Sequence, residues 1–270
     1  MVFHRDVKQL LRSEPADRFR TQRVLLDNQG GISPFGALLT FTQMQAFRQQ
    51  GQIFNVSGGR LFANLGVSLQ LIVYHKQRRA LVLVPQGDRL KLISGYVPKE
   101  HLGDPLQTVW AELMEEVLPM TTNGKLYGFA IGDMPLKDPY ALKRCGSLFV
   151  RPAPFLLQQS VLQQGGSAHT FAQHCQWPVT SYQDRQHACL QLVFPAEVTL
   201  PDAVTLYHVE DVLDSATNRL LSEFEPHNRC VLMVLDENSR LKHEFFTIND
   251  GEWIPFDAQG FVLSEFFDFV

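Results

Sequence analysis

Three features that would assign a class early are missing from this sequence: a long apolar run, an imbalance of charge and a cysteine framework. No apolar stretch reaches the roughly 18 residues that a bilayer-spanning helix needs. Lysine and arginine total 24 against 28 aspartates and glutamates, a formal charge of −4. That balance gives no general attraction to nucleic acid or to an anionic membrane, although a local basic patch stays open. The four cysteines, Cys145, Cys175, Cys189 and Cys230, contain no Cys-x-x-Cys pair and no regular spacing. They read as reduced thiols in a cytoplasmic protein. The opening Met-Val-Phe-His-Arg-Asp lacks the charged-then-apolar layout of a secretory signal. Arg5, Arg12, Arg18, Arg20 and Arg23 hint at a transit peptide, but Asp6, Glu14 and Asp17 interrupt them, so the segment reads as solvated helix and loop. The Gly58-Gly59-Arg60 turn lacks the spacing and the Lys-Ser/Thr of a phosphate-binding loop, and no internal repeat is found.

What is present is the composition of an ordinary globular protein, 45% hydrophobic and 19% charged over 270 residues, enough to bury a large core. The organisation reads as an N-terminal extension over 1–60, a central domain over 61–225 and a C-terminal extension over 226–270 packed on that domain. In the first part, Val7, Leu10 and Leu11 suit a short amphipathic helix ending before Pro15, and Val24–Leu26 a strand. A second helix is expected from Phe41 to Gln50, stopped by Gly51. From Val67 the pattern becomes strands: Val67 to His75, a polar reversal at Lys76–Arg79, Ala80–Val84, a turn at Gln86–Asp88, then Leu90–Ile93. Further strands are expected at Lys125–Ile131, Gly146–Val150, Ala188–Phe194 and Val204–Tyr207. Val209, Val212, Leu213, Ala216 and Leu220 then mark one face of a helix ending near Pro226. Cys230–Leu235, Leu241–Ile248 and Glu252–Ile254 alternate with turns as an antiparallel meander.

A Gln/Ser/Gly-rich excursion, about 156–186, is too long for a plain connection and too polar for core, which makes it a candidate lid or specificity loop. Its Trp177 and Tyr182 could stack on a base or could be buried core aromatics. His169, His174, Cys175 and His187 match no structural zinc spacing. The closing Ser264–Val270 carries three phenylalanines, expected to dock on the core or on a second copy of the chain.

The most informative stretch runs from Gly95 to Leu118. Asp104 suits a helix N-cap, Pro105 the first helical position, and Gln107 completes an Asp-x-x-Gln capping box. Leu106, Val109, Trp110, Leu113 and Val117 fall in one apolar sector at 100° per residue. Beside it, Glu112, Glu115 and Glu116 form one stripe of carboxylates. Glu112 and Glu116 repel across four residues, at a cost of about 0.2–0.5 kcal/mol. All three also lie toward the helix C-terminus, where the macrodipole disfavours anions. A divalent cation would reverse both penalties, because Mg2+ takes oxygen ligands and binds one or two carboxylates plus substrate phosphate. A solvated acidic face with no function is the competing reading.

This stretch resembles the Nudix box, G-x5-E-x7-R-E-U-x-E-E-x-G-U with U a bulky aliphatic. Glu112, Leu113, Glu115 and Glu116 match the core of that box position by position, with Gly95 as its leading glycine. The resemblance implies an α/β/α sandwich around a mixed sheet, in an α/β or α+β class. It also implies hydrolysis of a diphosphate linkage in a nucleoside diphosphate derivative, with Mg2+ or Mn2+. Glu112, Glu115 and Glu116 would then ligate metal, one of them serving as base, and the backbone at Gly95 would add a carbonyl ligand. The chain departs from the pattern at three points. The family arginine is Ala111, the glycine after the glutamate pair is Leu118 followed by Pro119, and Gly95 to Glu112 spans 17 positions where the family spans 15. The upstream acidic residue is therefore either Glu100 or Asp104. A base from the C-terminal half, Glu210 or Glu223, is conceivable.

Two further readings compete with a divergent hydrolase. One is a catalytically inactive ligand-binding or regulatory module; the other is an interaction protein whose acidic helix is plain surface. The expected partners are a small nucleotide and a second copy of the chain, with no membrane and no general nucleic-acid binding. The residues that would choose the substrate cannot be read from the box.

Overall fold

The computed structural model describes residues 2–156, 177–184 and 186–263. Among these, β-structure dominates and α-helix is confined to two segments. The chain opens with β1 (Gln9–Pro15), β2 (Arg20–Asp27) and β3 (Ile32–Thr40), followed by α1 (Phe41–Gln50), β4 (Phe54–Val56) and β5 (Gly59–Phe62). Strands β3, β2, β5 and β4, in that order, make a small antiparallel sheet. It packs onto the main core through Val24, Leu26 and Phe62, and Thr21 Oγ1 donates 2.7 Å to the carbonyl of Val97.

The large sheet is built on β6 (Asn64–His75), followed by β7 (Arg78–Gln86), β8 (Arg89–Lys91) and β9 (Ile93–Tyr96). After a loop come α2 (Leu106–Glu116), β10 (Val117–Thr121), β11 (Leu126–Ile131), β12 (Met134–Pro135) and β13 (Arg144–Pro152). Then follow β14 (Thr180–Asp184), β15 (Cys189–Thr199), β16 (Val204–Asp214), β17 (Arg219–Arg229) and β18 (Val231–Leu235). The last three strands are β19 (Leu241–Asn249), β20 (Glu252–Pro255) and β21 (Val262–Leu263). At the centre β6 and β15 pair in parallel from Asn64↔Cys189 to Thr199↔Tyr74. β9 and β7 share the outer edge of β6, and β14 and β13 share that of β15. Leu65, Val67, Leu69, Leu71 and Val73 of β6 lie beside Leu190, Leu192, Phe194, Ala196 and Val198 of β15 on one face, which α2 covers with Val109, Leu113 and Met114. The period-2 alternation of β6 puts Asn64, Ser68 and Gln70 on the other face, where Gln191 Nε2 donates 2.9 Å to Ser68 Oγ.

The expected α/β/α sandwich does not form. A mixed sheet is present, but among the described residues α2 is the one α-helix on it, and the layers that would make a sandwich are strands. Two expected helices account for much of the difference. The 209–220 segment is a hairpin: β16 and β17 pair from Val209↔Phe224 to Asp214↔Arg219. Its turn is closed by Asp214, whose carboxylate accepts from the Ala216 amide at 3.0 Å and from Thr217 Oγ1 at 2.5 Å, with Asn218 at φ 51°. That side-chain-to-backbone chemistry outweighs an apolar spacing that helix and strand share. The expected helix before Pro15 is β1, which adds to β17 from Gln9↔Phe224 to Pro15↔Arg219 and so exchanges local hydrogen bonds for cross-strand ones. The helix at Phe41–Gln50, the strands from β6 through β8 and the closing meander form where the sequence places them. No helix among the described residues is long and apolar enough to cross a membrane. The excursion at 156–186 lies mostly outside the described residues, as do His169, His174, Cys175 and the phenylalanine-bearing Ser264–Val270.

Candidate functional site at the C-terminal turn of the second helix

Pro105 is the N-cap of helix α2, and its carbonyl accepts from the Thr108 amide at 3.0 Å. The expected capping box is absent. Asp104 offers its main-chain carbonyl to the Gln107 amide, and its carboxylate is taken by the Gln107 side chain at 3.0 Å. At the other end the helix does not turn. Val117 is already extended, at φ −119° and ψ 120°, and the chain runs straight into β10, which pairs with β16 from Val117↔His208 to Thr121↔Val204. A glycine after the glutamate pair is therefore unnecessary, because no left-handed residue is needed there. Leu118 is fully buried beside Met120 and Tyr207.

The carbonyls that this ending leaves without helical partners are met by side chains. The Tyr140 hydroxyl donates 2.9 Å to the carbonyl of Glu115, and His208 Nδ1 lies 3.2 Å from the carbonyl of Glu116. A carbonyl only accepts, so this contact needs a proton on Nδ1, while the Pro85 carbonyl offers the ring a second acceptor. Burial pushes His208 down to about 4. These donors offset the negative end of the helix dipole where the carboxylates cluster.

Each glutamate has a different surrounding. Glu112 lies over Gly95: a Cβ added there would stand 1.8 Å from Glu112 Oε1, so only glycine admits the carboxylate. Among the described residues Glu112 has no hydrogen bond or ion pair, and its carboxyl is held well above the usual range by burial and then by Glu115 and Glu116. Glu115 is gripped by Arg12 of β1 in a two-bond fork, Nη1 to Oε1 at 2.7 Å and Nη2 to Oε2 at 2.9 Å. Glu116 accepts from Lys91 Nζ at 3.0 Å and from the Ser94 amide at 3.3 Å. Burial raises both carboxyls, against the downward pull of Arg12 on Glu115 and of Lys91 on Glu116. Asp211 of β16 stands 3.6 Å from Arg12 Nη2, 42% exposed, and adds a fourth negative charge at the rim.

The expected site residues thus separate. Gly95, Glu112, Glu115 and Glu116 converge. Glu100 and Asp104 are both exposed, at the far end of α2, so neither of them joins the carboxylates. Trp177 is buried, with Nε1 donating 2.8 Å to the Pro195 carbonyl and its ring edge-on to Trp110 at 4.9 Å. Tyr182 is buried in a cluster with Leu81, Leu83 and Val231. Glu223 is paired with Lys8 at 2.8 Å, opposite Glu210 in the β16–β17 register. Arg12, Lys91, His208 and Asp211 were not signalled by any motif. They reach the site through strand pairing, from up to 103 residues away.

The donor types suit a hard divalent cation, and four carboxyl groups face two cationic side chains. As the side chains stand, no group of three or more His, Cys, Asp or Glu among the described residues is arranged to hold a metal. Both oxygens of Glu115 are occupied by Arg12, and those of Glu116 by Lys91 and Ser94. Comparison with family models, with curated proteins and with solved structures finds no match.

Proposed function

We propose that the chain hydrolyses a diphosphate linkage in a nucleoside diphosphate derivative, using Mg2+ or Mn2+ at the Glu112–Glu116 side of the cluster. The observation that carries this reading is the Arg12–Glu115 fork. The box that the helix resembles has an arginine in place of Ala111 to orient a neighbouring glutamate, and here a strand from elsewhere in the chain supplies one. Gly95 supports the same reading, since its missing side chain is what lets Glu112 sit beside Glu116. The reading rests on the site and not on the fold. Glu112 and Glu116 would hold the ion, and Glu115, tied to Arg12, would fix their spacing. The ion would neutralise the diphosphate and activate a water for in-line attack. The free thiols of Cys145, Cys189 and Cys230 would suit a reducing cytoplasm, and a second copy of the chain is a candidate partner.

The test is turnover of ADP-ribose, nucleotide sugars, dinucleoside polyphosphates and nucleoside triphosphates with Mg2+ or Mn2+, in the wild type, Glu112→Gln and Glu116→Gln. Metal-dependent products lost in both variants are expected. Absence of turnover on every compound, or turnover that survives both substitutions, overturns the reading. The Lys91–Glu116 contact favours a second one, a binding or regulatory module without chemistry, in which the nucleotide binds and no product forms.

A further inference from the structure

The two cations at this site are held in unlike ways. Arg12 meets Glu115 through a planar fork, lies over the Tyr140 ring at 5.8 Å and faces Asp211, so several contacts fix its guanidinium. Lys91 ends β8 and reaches Glu116 as a point charge on a four-carbon stem. Its ammonium has three acceptors: Glu116 Oε1 at 3.0 Å, Ser94 Oγ at 3.2 Å and the Ser94 carbonyl at 3.4 Å. Two of the three belong to Ser94, so Lys91 can release Glu116 and keep most of its hydrogen bonds. Arg12 cannot leave Glu115 without losing the fork. The unpaired carboxylate, Glu112, lies one helical turn from Glu116 and also feels Lys91.

Resting on the metal-site reading above, we propose that Lys91 is an exchangeable counter-ion: its ammonium occupies Glu116 until a divalent cation displaces it. This accounts for a cluster whose donor types suit a metal while its side chains do not present one. A divalent ion entering beside Glu112 competes with the ammonium for the same Glu116 oxygen. The displaced ammonium stays anchored at Ser94, at the edge of the site, as a positive group able to meet phosphate oxygens. Arg12 plays no part in the exchange.

The test is Mn2+ binding without substrate, read as loss of the free-ion electron paramagnetic resonance signal, in the wild type, Lys91→Met, Lys91→Arg, Ser94→Ala and Glu116→Gln. Removing the competing charge in Lys91→Met is expected to tighten Mn2+ binding about tenfold, the size of one partly screened ion pair. Ser94→Ala, which keeps every charge and should fold even if Lys91→Met does not, removes part of the anchor of the displaced ammonium and is expected to weaken Mn2+ binding about threefold. Lys91→Arg should give no gain, and Glu116→Gln should abolish binding. If the wild type binds Mn2+ while Lys91→Met binds no more tightly and Ser94→Ala no more weakly, the exchange is overturned and the metal site stands. If no form binds Mn2+, the metal site falls and the exchange falls with it.

Discussion

The two α-helices among the described residues follow opposite rules. Helix α1 is locally self-sufficient. Thr40 and Gln43 form a reciprocal capping box, with Thr40 Oγ1 accepting from the Gln43 amide at 3.2 Å and Gln43 Oε1 from the Thr40 amide at 2.9 Å. Gly51 closes it at φ 59°, Arg48 stands in the last turn, and Met44 is its one buried residue. Helix α2 has no side-chain cap, runs straight into a strand, and carries glutamates where the dipole disfavours them. What holds it is tertiary: Val109, Leu113 and Met114 in the core, and Arg12, Lys91, Tyr140 and His208 from four other segments. A helix that breaks local rules and is compensated from a distance marks where the fold gives up stability for a site.

The largest test of this contrast is Arg12→Ala. It strands the Glu115 carboxylate, which is only 16% exposed, and should cost about 3 kcal/mol in urea unfolding, the low end for breaking a buried pair. Equal stability of the variant and the wild type would mean that α2 does not depend on distant partners. Nearly as large is a pH effect at His208. Its folded value is about 4 against an ordinary 6.5, so between those values the unfolded chain binds more protons and stability falls as pH falls. The stability difference between the wild type and His208→Asn should therefore shrink by up to about 3 kcal/mol from pH 7 to pH 4. A pH-independent difference would show that His208 is not held neutral.

Gly95→Ala should displace the flexible Glu112 side chain at a cost of about 1 kcal/mol, and should abolish Mn2+ binding. Retained binding would remove Glu112 from the site. The smallest pair of changes sharpens the comparison from both sides. Thr40→Ala should cost about 1 kcal/mol and leave Mn2+ binding untouched, as a cap serving only α1. Glu112→Gln should instead stabilise the metal-free protein, by about 1 kcal/mol at pH 8. Because the folded carboxyl is raised, the folded state binds the extra proton above the unfolded value, and wild-type stability falls as pH rises through that window. The gain should accordingly vanish in acid.

Legibility followed the same division. The approximate extent of α1 and its stop at Gly51 were readable, because those signals are local, although its Thr40–Gln43 capping box was not among the expectations. The hairpins from β6 to β8 were readable for the same reason, since alternation and turn residues are local. The 209–220 segment misled because its valines and leucines suit either period, and the decision rested on an aspartate closing a turn at 214–218. At the site, the glutamates and Gly95 could be picked out by spacing. Their partners could not, because Arg12 is one of several scattered arginines and Lys91 one ordinary lysine between two leucines. The resemblance also carried an expectation of fold that a twenty-residue motif does not determine.

Arg12 reaches Glu115 only because β1 lies along β17, so the chain's ninth to fifteenth residues wait for its last third. On a ribosome, α2 emerges long before residue 229, and throughout that interval the strand that sets Arg12 beside Glu115 is missing. The loop that must close is over two hundred residues long, a late and slow step in folding. The carboxylate cluster is therefore among the last parts of the molecule to assume its final arrangement. A nascent chain carries the glutamates well before it carries the site.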